Sequence, residues 1–170
     1  RSYNSDPFKT IKNKITKSDD LSRYSLIIAY LKSGNYDLAT HGVKLLIKDN
    51  KNYPFYYELA GDIFFSKGDF DLSIENYKKA LKIIKNNYDL SNTLIKISLA
   101  KSLLKKNDIV NIKEAISLLE DLILIESNWS NLWRLIAQGY GKIGKIGVTY
   151  IALAEESIIK RDFKKAKKYV

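Results

Sequence analysis

One segment recurs 34 positions along the chain, and this recurrence restricts the fold more than any other feature. Gly34-Asn35-Tyr36-Asp37-Leu38-Ala39 returns as Gly68-Asp69-Phe70-Asp71-Leu72-Ser73. The residues around each copy repeat as well. Tyr30 and Phe64 lie upstream, and Val43 with Leu46 and Tyr77 with Ala80 lie downstream. A fixed period of this length means stacked supersecondary units, each too small to bury its apolar face alone.

The residue types say what the unit is. Ile74, Tyr77, Leu81 and Ile84 fall at i, i+3, i+7 and i+10, one face of a helix. Ile116, Leu119 and Ile123 begin the same pattern, and Glu126 then leaves the apolar face. Gly34 and Gly68 suit the left-handed backbone that ends a helix, and the Asn or Asp after each can cap the next one. Small residues at Ala39, Gly61, Ala80 and Ala137 let helix backbones approach, with aromatics filling the space beside them. Pro54 opens a helix where its missing N–H costs nothing. No segment shows sustained strand alternation.

The first helix of the second unit reads Tyr57, Ala60, Gly61, Phe64, and that of the fourth reads Trp133, Ile136, Ala137, Tyr140. Both spacings resemble the tetratricopeptide pattern W-x2-L-G-x2-Y, and 34 residues is the tetratricopeptide period. The expected fold is all-α: a right-handed tetratricopeptide-like stack of about four antiparallel hairpins plus terminal helices. The hairpins are expected at about 20–50, 54–86, 92–126 and 130–160, within a repeat domain of 20–170. The third unit keeps Lys96, Leu99, Ala100 and Leu103, but Asn107 replaces the turn glycine and Asp108-Ile109-Val110-Asn111 lengthens the turn. A spacer is expected at Asn87–Ser91, a terminal helix at 162–170, and a helix at Asp6–Lys17 within a polar segment, 1–19.

Composition removes most chemistry. Cysteine is absent, so disulfides, thiolate metal sites and Cys nucleophiles are excluded. His41 is the one histidine, too few for a zinc H-E-x-x-H site or a histidine-based triad. It reads as a surface or boundary residue. Glu155 and Glu156 are adjacent on a helix and point about 100° apart, so they read as solvated or as partners of Lys160. Gly139, Gly141, Gly144 and Gly147 lack the preceding strand and the Lys-Ser/Thr ending of a phosphate loop, and read as a helix end and a tight turn. No catalytic, metal or cofactor residue is expected in this chain. It contains no Met, so it is expected to be a processed product or a fragment.

Lys and Arg total 29 against 19 Asp and Glu, a net charge of +10. The lysines are spread along the chain, which reads as solvated faces, and no nucleic-acid partner is expected. The densest stretch is Lys160, Arg161, Lys164, Lys165, Lys167 and Lys168. It reads as the capping face of a solenoid, with weak membrane-surface contact as the alternative.

A groove remains. The first helix of each hairpin in such stacks lines the concave side. The residues expected there are Tyr24, Ile28 and Leu31; Phe55, Glu58, Asp62 and Phe65; Ile97, Lys101 and Leu104; and Asn131, Arg134 and Gln138. Their mixture of aromatic and charged side chains suits an extended peptide or an amphipathic helix as partner.

A narrower resemblance appears in Tyr56-Tyr57-Glu58-Leu59-Ala60-Gly61, in Glu114-Ala115-Ile116 after the long turn, and in the C-terminal half. Leu132-Trp133-Arg134-Leu135-Ile136-Ala137, Gln138-Gly139-Tyr140-Gly141-Lys142-Ile143-Gly144 and Ala152-Leu153-Ala154-Glu155-Glu156 resemble the ending of BepA-like periplasmic zinc metallopeptidases (peptidase family M forty-eight). The resemblance implies an upstream H-E-x-x-H protease domain that holds the zinc, making the parent a metalloendopeptidase. It also implies a periplasmic location and a repeat domain that packs on the protease, recruits substrate or outer-membrane assembly partners, and controls access. The alternatives are a free-standing adaptor or chaperone that binds a peptide in its groove, with a cytoplasmic location open, and, last, a basic nucleic-acid or membrane-surface binder.

Overall fold

The computed structural model describes residues 19–84 and 90–170 of the chain. Every regular element among them is a helix: α1 (Asp20–Lys32), α2 (Tyr36–Asp49), α3 (Pro54–Lys67), α4 (Phe70–Ile84), α5 (Leu90–Lys105), α6 (Ile109–Ile125), α7 (Ser130–Lys142), α8 (Ile146–Ile159) and the short α9 (Phe163–Ala166). The expected helix at Asp6–Lys17 lies outside the described residues, as does most of the expected spacer. Leu90 and Ser91 belong to α5, so the third hairpin begins earlier than its apolar pattern suggested.

The helix ends follow from local chemistry. Gly34, Gly68 and Gly144 take φ of 76°, 84° and 74°, the left-handed region that costs glycine nothing. After each, the next N–H reaches back to close the helix: Asn35 donates to the Tyr30 carbonyl, Asp69 to Phe64 and Lys145 to Tyr140, each at 2.9 Å. Asn107 takes the same conformation with φ 61°, as its side chain permits. Arg161 does so too, with φ 60°, and Asp162 then donates to the Ser157 carbonyl at 2.9 Å. Asp19, Asp108 and Asp162 cap α1, α6 and α9 by accepting from the N–H groups of Ser22, Asn111 and Lys165. Asn35 does not cap α2. Its side-chain amide donates instead to the Ser33 hydroxyl at 2.8 Å.

The chain divides at residues 85 and 86 into two compact units. The first holds α1–α4. Its core is Ile27 from α1, Ala39, Val43 and Leu46 from α2, and Tyr56, Leu59, Ala60, Ile63 and Phe64 from α3. Buried Arg23 pairs with Asp20 at 3.0 Å and with Asp49, tying the start of α1 to the end of α2. Ala39 and Ala80 are fully buried, as their role between close helices requires. Ser73 is fully buried at the repeat position of Ala39, and its hydroxyl donates to the Gly61 carbonyl at 3.0 Å.

The second unit holds α5–α9. Leu103, Leu119 and Leu132, one each from α5, α6 and α7, are among its fully buried side chains. Gly139 sits inside α7 against Ile116. A Cβ there would lie 2.7 Å from the Ile116 side chain, so this glycine serves helix packing and not a turn.

Candidate functional site

The residues expected to line a groove fall into two sets, one in each unit. In the first unit, Tyr24, Ile28, Leu31, Phe55, Glu58, Asp62 and Phe65 are all half-buried. Tyr24, Ile28 and Leu31 lie on α1, and the other four on α3. They are neither core nor free surface.

The N-terminal part of this face opens into a cleft of about 370 Å³ lined by Asp20, Leu21, Tyr24, Tyr53, Phe55 and Tyr56. Its walls are aromatic. Tyr53 meets Tyr56 edge to face with ring centroids 4.6 Å apart, and meets Phe55 at 5.4 Å. Tyr24 lies across from Tyr56, centroids 6.4 Å apart. These separations are those of favourable aromatic pairs. Leu21 is 76% exposed at the rim.

Glu58 and Asp62 stand one helical turn apart on the same face of α3. Asp62 accepts a hydrogen bond from the Tyr77 hydroxyl at 2.5 Å, which fixes its carboxylate. Burial pushes the Glu58 carboxyl up to about 7, and the nearby Asp62 charge adds to the shift. Burial likewise raises the Tyr24 phenol to about 12, with Glu58 and Asp62 contributing. Asp62, and Glu58 once ionised, place negative charge where it is partly desolvated and a cation would relieve it.

In the second unit the expected set is divided. Asn131, Arg134 and Gln138 are exposed on α7, and Lys101 is half-buried on α5. Ile97 and Leu104 depart from the expected open face: they are 5% and 3% exposed. The reason is that α5 packs against both α6 and α7, so apolar residues on two of its sides are covered. Leu104 packs beside Gly139.

Arg134 is not a free groove cation either. Its Nε donates to Glu156 at 2.7 Å, and Lys160 donates to the same carboxylate oxygen. Glu156 is only 2% exposed. Burial pushes its carboxyl up, but the hydrogen bonds from Lys160 and Arg134 outweigh this and hold it below the ordinary range. The sequence paired Glu156 with Lys160 and missed Arg134, 22 positions away.

No group of His, Cys, Asp and Glu able to hold a metal occurs among the described residues. His41 is half-buried on α2. No described helix is long and apolar enough to cross a membrane.

Comparison with known proteins bears on the class. A family model described as TPR repeat matches residues 61–94. The fold is that of a tetratricopeptide-repeat domain. A solved structure described as "MamA RS-1 ArsTM double mutant" superposes with a TM-score of 0.70 at 17% identity, covering 97% of this chain and 91% of that one. No curated protein matches the sequence. A tetratricopeptide-repeat domain is a protein–protein interaction domain, so the face of the first unit is a candidate contact surface for a protein.

Proposed function

We propose that this repeat domain holds a peptide segment of a partner protein against the α1–α3 face of its first unit. The observation that carries the reading is the pairing of an aromatic cleft with the half-buried carboxylates Glu58 and Asp62. An apolar side chain enters the cleft between Tyr24 and Tyr53, and a lysine or arginine of the same segment lies over the carboxylates. Ligand sites combine apolar walls with a few placed polar groups in this way. Selection of peptides from a display library tests the reading. Binders should be enriched in segments pairing an apolar or aromatic residue with Lys or Arg, and Glu58→Gln with Asp62→Asn should weaken them. Enrichment of acidic peptides would contradict it.

A finer reading rests on a different observation. The Trp133–Glu156 block resembles the ending of periplasmic zinc metallopeptidases. On that reading the domain recruits substrate or outer-membrane assembly partners to a zinc-dependent protease domain of the same polypeptide, and controls access to it in the periplasm. A reading frame with no H-E-x-x-H domain ahead of Arg1 would contradict it and leave the free-standing adaptor.

A further inference from the structure

The second unit carries an opening that the peptide-binding reading does not use. A cleft of about 310 Å³ lies over α7, with α6 and α8 as its walls. Its floor is Trp133, Ile136 and Tyr140, which fall at i, i+3 and i+7. Its rim is apolar and open to solvent: Leu124 is 85% exposed, Ile151 61% and Val148 39%. Single exposed leucines are ordinary, but apolar side chains converging on one cleft mark an interaction surface.

Charge identifies what fits. The chain as a whole is net +10. The two walls run against this. Together α6 and α8 carry Glu114, Glu120, Asp121, Glu155 and Glu156 against the single Lys113. Glu156 is taken up by Arg134 and Lys160. Glu120 and Asp121 line the cleft itself. The Tyr140 hydroxyl donates to Glu120 and pins its carboxylate at the cleft edge. In a basic protein, the charged residues that line this exposed apolar cleft are thus both acidic.

Length identifies the shape. Trp133 to Tyr140 spans two turns of α7, about 10 Å. An amphipathic helix presents apolar anchors at i, i+3, i+4 and i+7 over the same distance. We infer that the α6–α7–α8 cleft docks a basic amphipathic helix of a partner protein, with apolar side chains between Leu124 and Ile151 and Lys or Arg beside Glu120 and Asp121. This surface is separate from the α1–α3 face, and the two stand or fall independently.

The probe is a fluorescein-labelled Leu/Lys amphipathic peptide of about five helical turns, with a Leu/Glu peptide of the same pattern as control. Binding to the full chain is read by anisotropy, and by Trp fluorescence from the cleft. The Leu/Lys peptide should bind and the Leu/Glu peptide should not. Leu124→Asp and Ile151→Asp should each weaken binding by about tenfold or more, as anchor truncations do. Asp121→Lys should weaken it less and reduce its salt dependence. Both tryptophans, Trp129 and Trp133, lie in the second unit, so the fluorescence change reads this cleft apart from any binding of the Leu/Lys peptide at the α1–α3 face. Leu124 and Ile151 are exposed, so these variants should keep the wild-type circular dichroism and melting temperature. Equal binding of the two peptides would overturn the proposal, as would binding unchanged by Leu124→Asp. Sedimentation showing self-association abolished by Leu124→Asp would also overturn it, because the occupant would then be a second copy.

Discussion

The ring of Tyr77 fills the space that Gly61 leaves by having no side chain. A Cβ on Gly61 would lie 2.5 Å from the ring, far inside van der Waals contact. Tyr77 is 2% exposed and hydrogen-bonded to Asp62, so it cannot swing away. The close approach of α3 and α4 thus holds the ring whose hydroxyl fixes a carboxylate of the candidate site.

Gly61→Ala should therefore destabilise the first unit. The gain in helix propensity is about 1 kcal/mol, and overpacking costs about 1–3 kcal/mol, so the net loss should be up to about 2 kcal/mol. Gly147→Ala is the contrast. It lies in α8 with nothing within 4 Å of its Cβ position, and it should gain up to about 1 kcal/mol. Chemical denaturation of the two variants checks the difference in sign.

Glu58 should make stability fall as pH rises. Its folded value of about 7 lies above its ordinary 4.5. The stabilising contribution is present below about 4.5 and is lost as pH rises through about 7. Glu58→Gln should remove this slope and stabilise the protein at pH 8 by about 1 kcal/mol, discounted for partial solvation. Carboxyl titration by NMR, with denaturation across the same range, reads both effects.

Glu156 has the opposite sign. Its folded value is depressed by Lys160 and Arg134, so its contribution is present above the ordinary carboxylate range and is lost as pH falls through the folded value. Glu156→Ala should cost about 1–2 kcal/mol through its lost hydrogen bonds, less than breaking a fully buried pair, because Arg134 and Lys160 are half exposed and stay solvated.

The turns show what was legible in the sequence. Gly34, Gly68 and Gly144 announce left-handed residues because only glycine takes that backbone freely. The 34-residue recurrence then places the helices between them. Asn107 was legible as the next-best choice, whereas Arg161 was not, because its type gives no sign of a positive φ. Ile97 and Leu104 were misplaced for a related reason. Periodicity finds one packed face, but α5 is packed on two. The link of Arg134 to Glu156 crosses from α7 to α8, and no local pattern encodes it.

Arg161→Gly should consequently stabilise the C-terminal turn by about 1 kcal/mol, by relieving the left-handed strain of a residue with a Cβ. Asn107→Gly should gain less, since Asn tolerates this region. Melting temperatures of the two variants rank the effects.

The most direct test of the peptide-holding function is NMR mapping of a display-selected peptide on the full chain. The account predicts that the largest shift changes fall at Tyr24, Tyr53, Phe55, Glu58 and Asp62, and that they disappear in the Glu58→Gln, Asp62→Asn double variant. Shift changes confined to other residues, or undiminished in that variant, would contradict it.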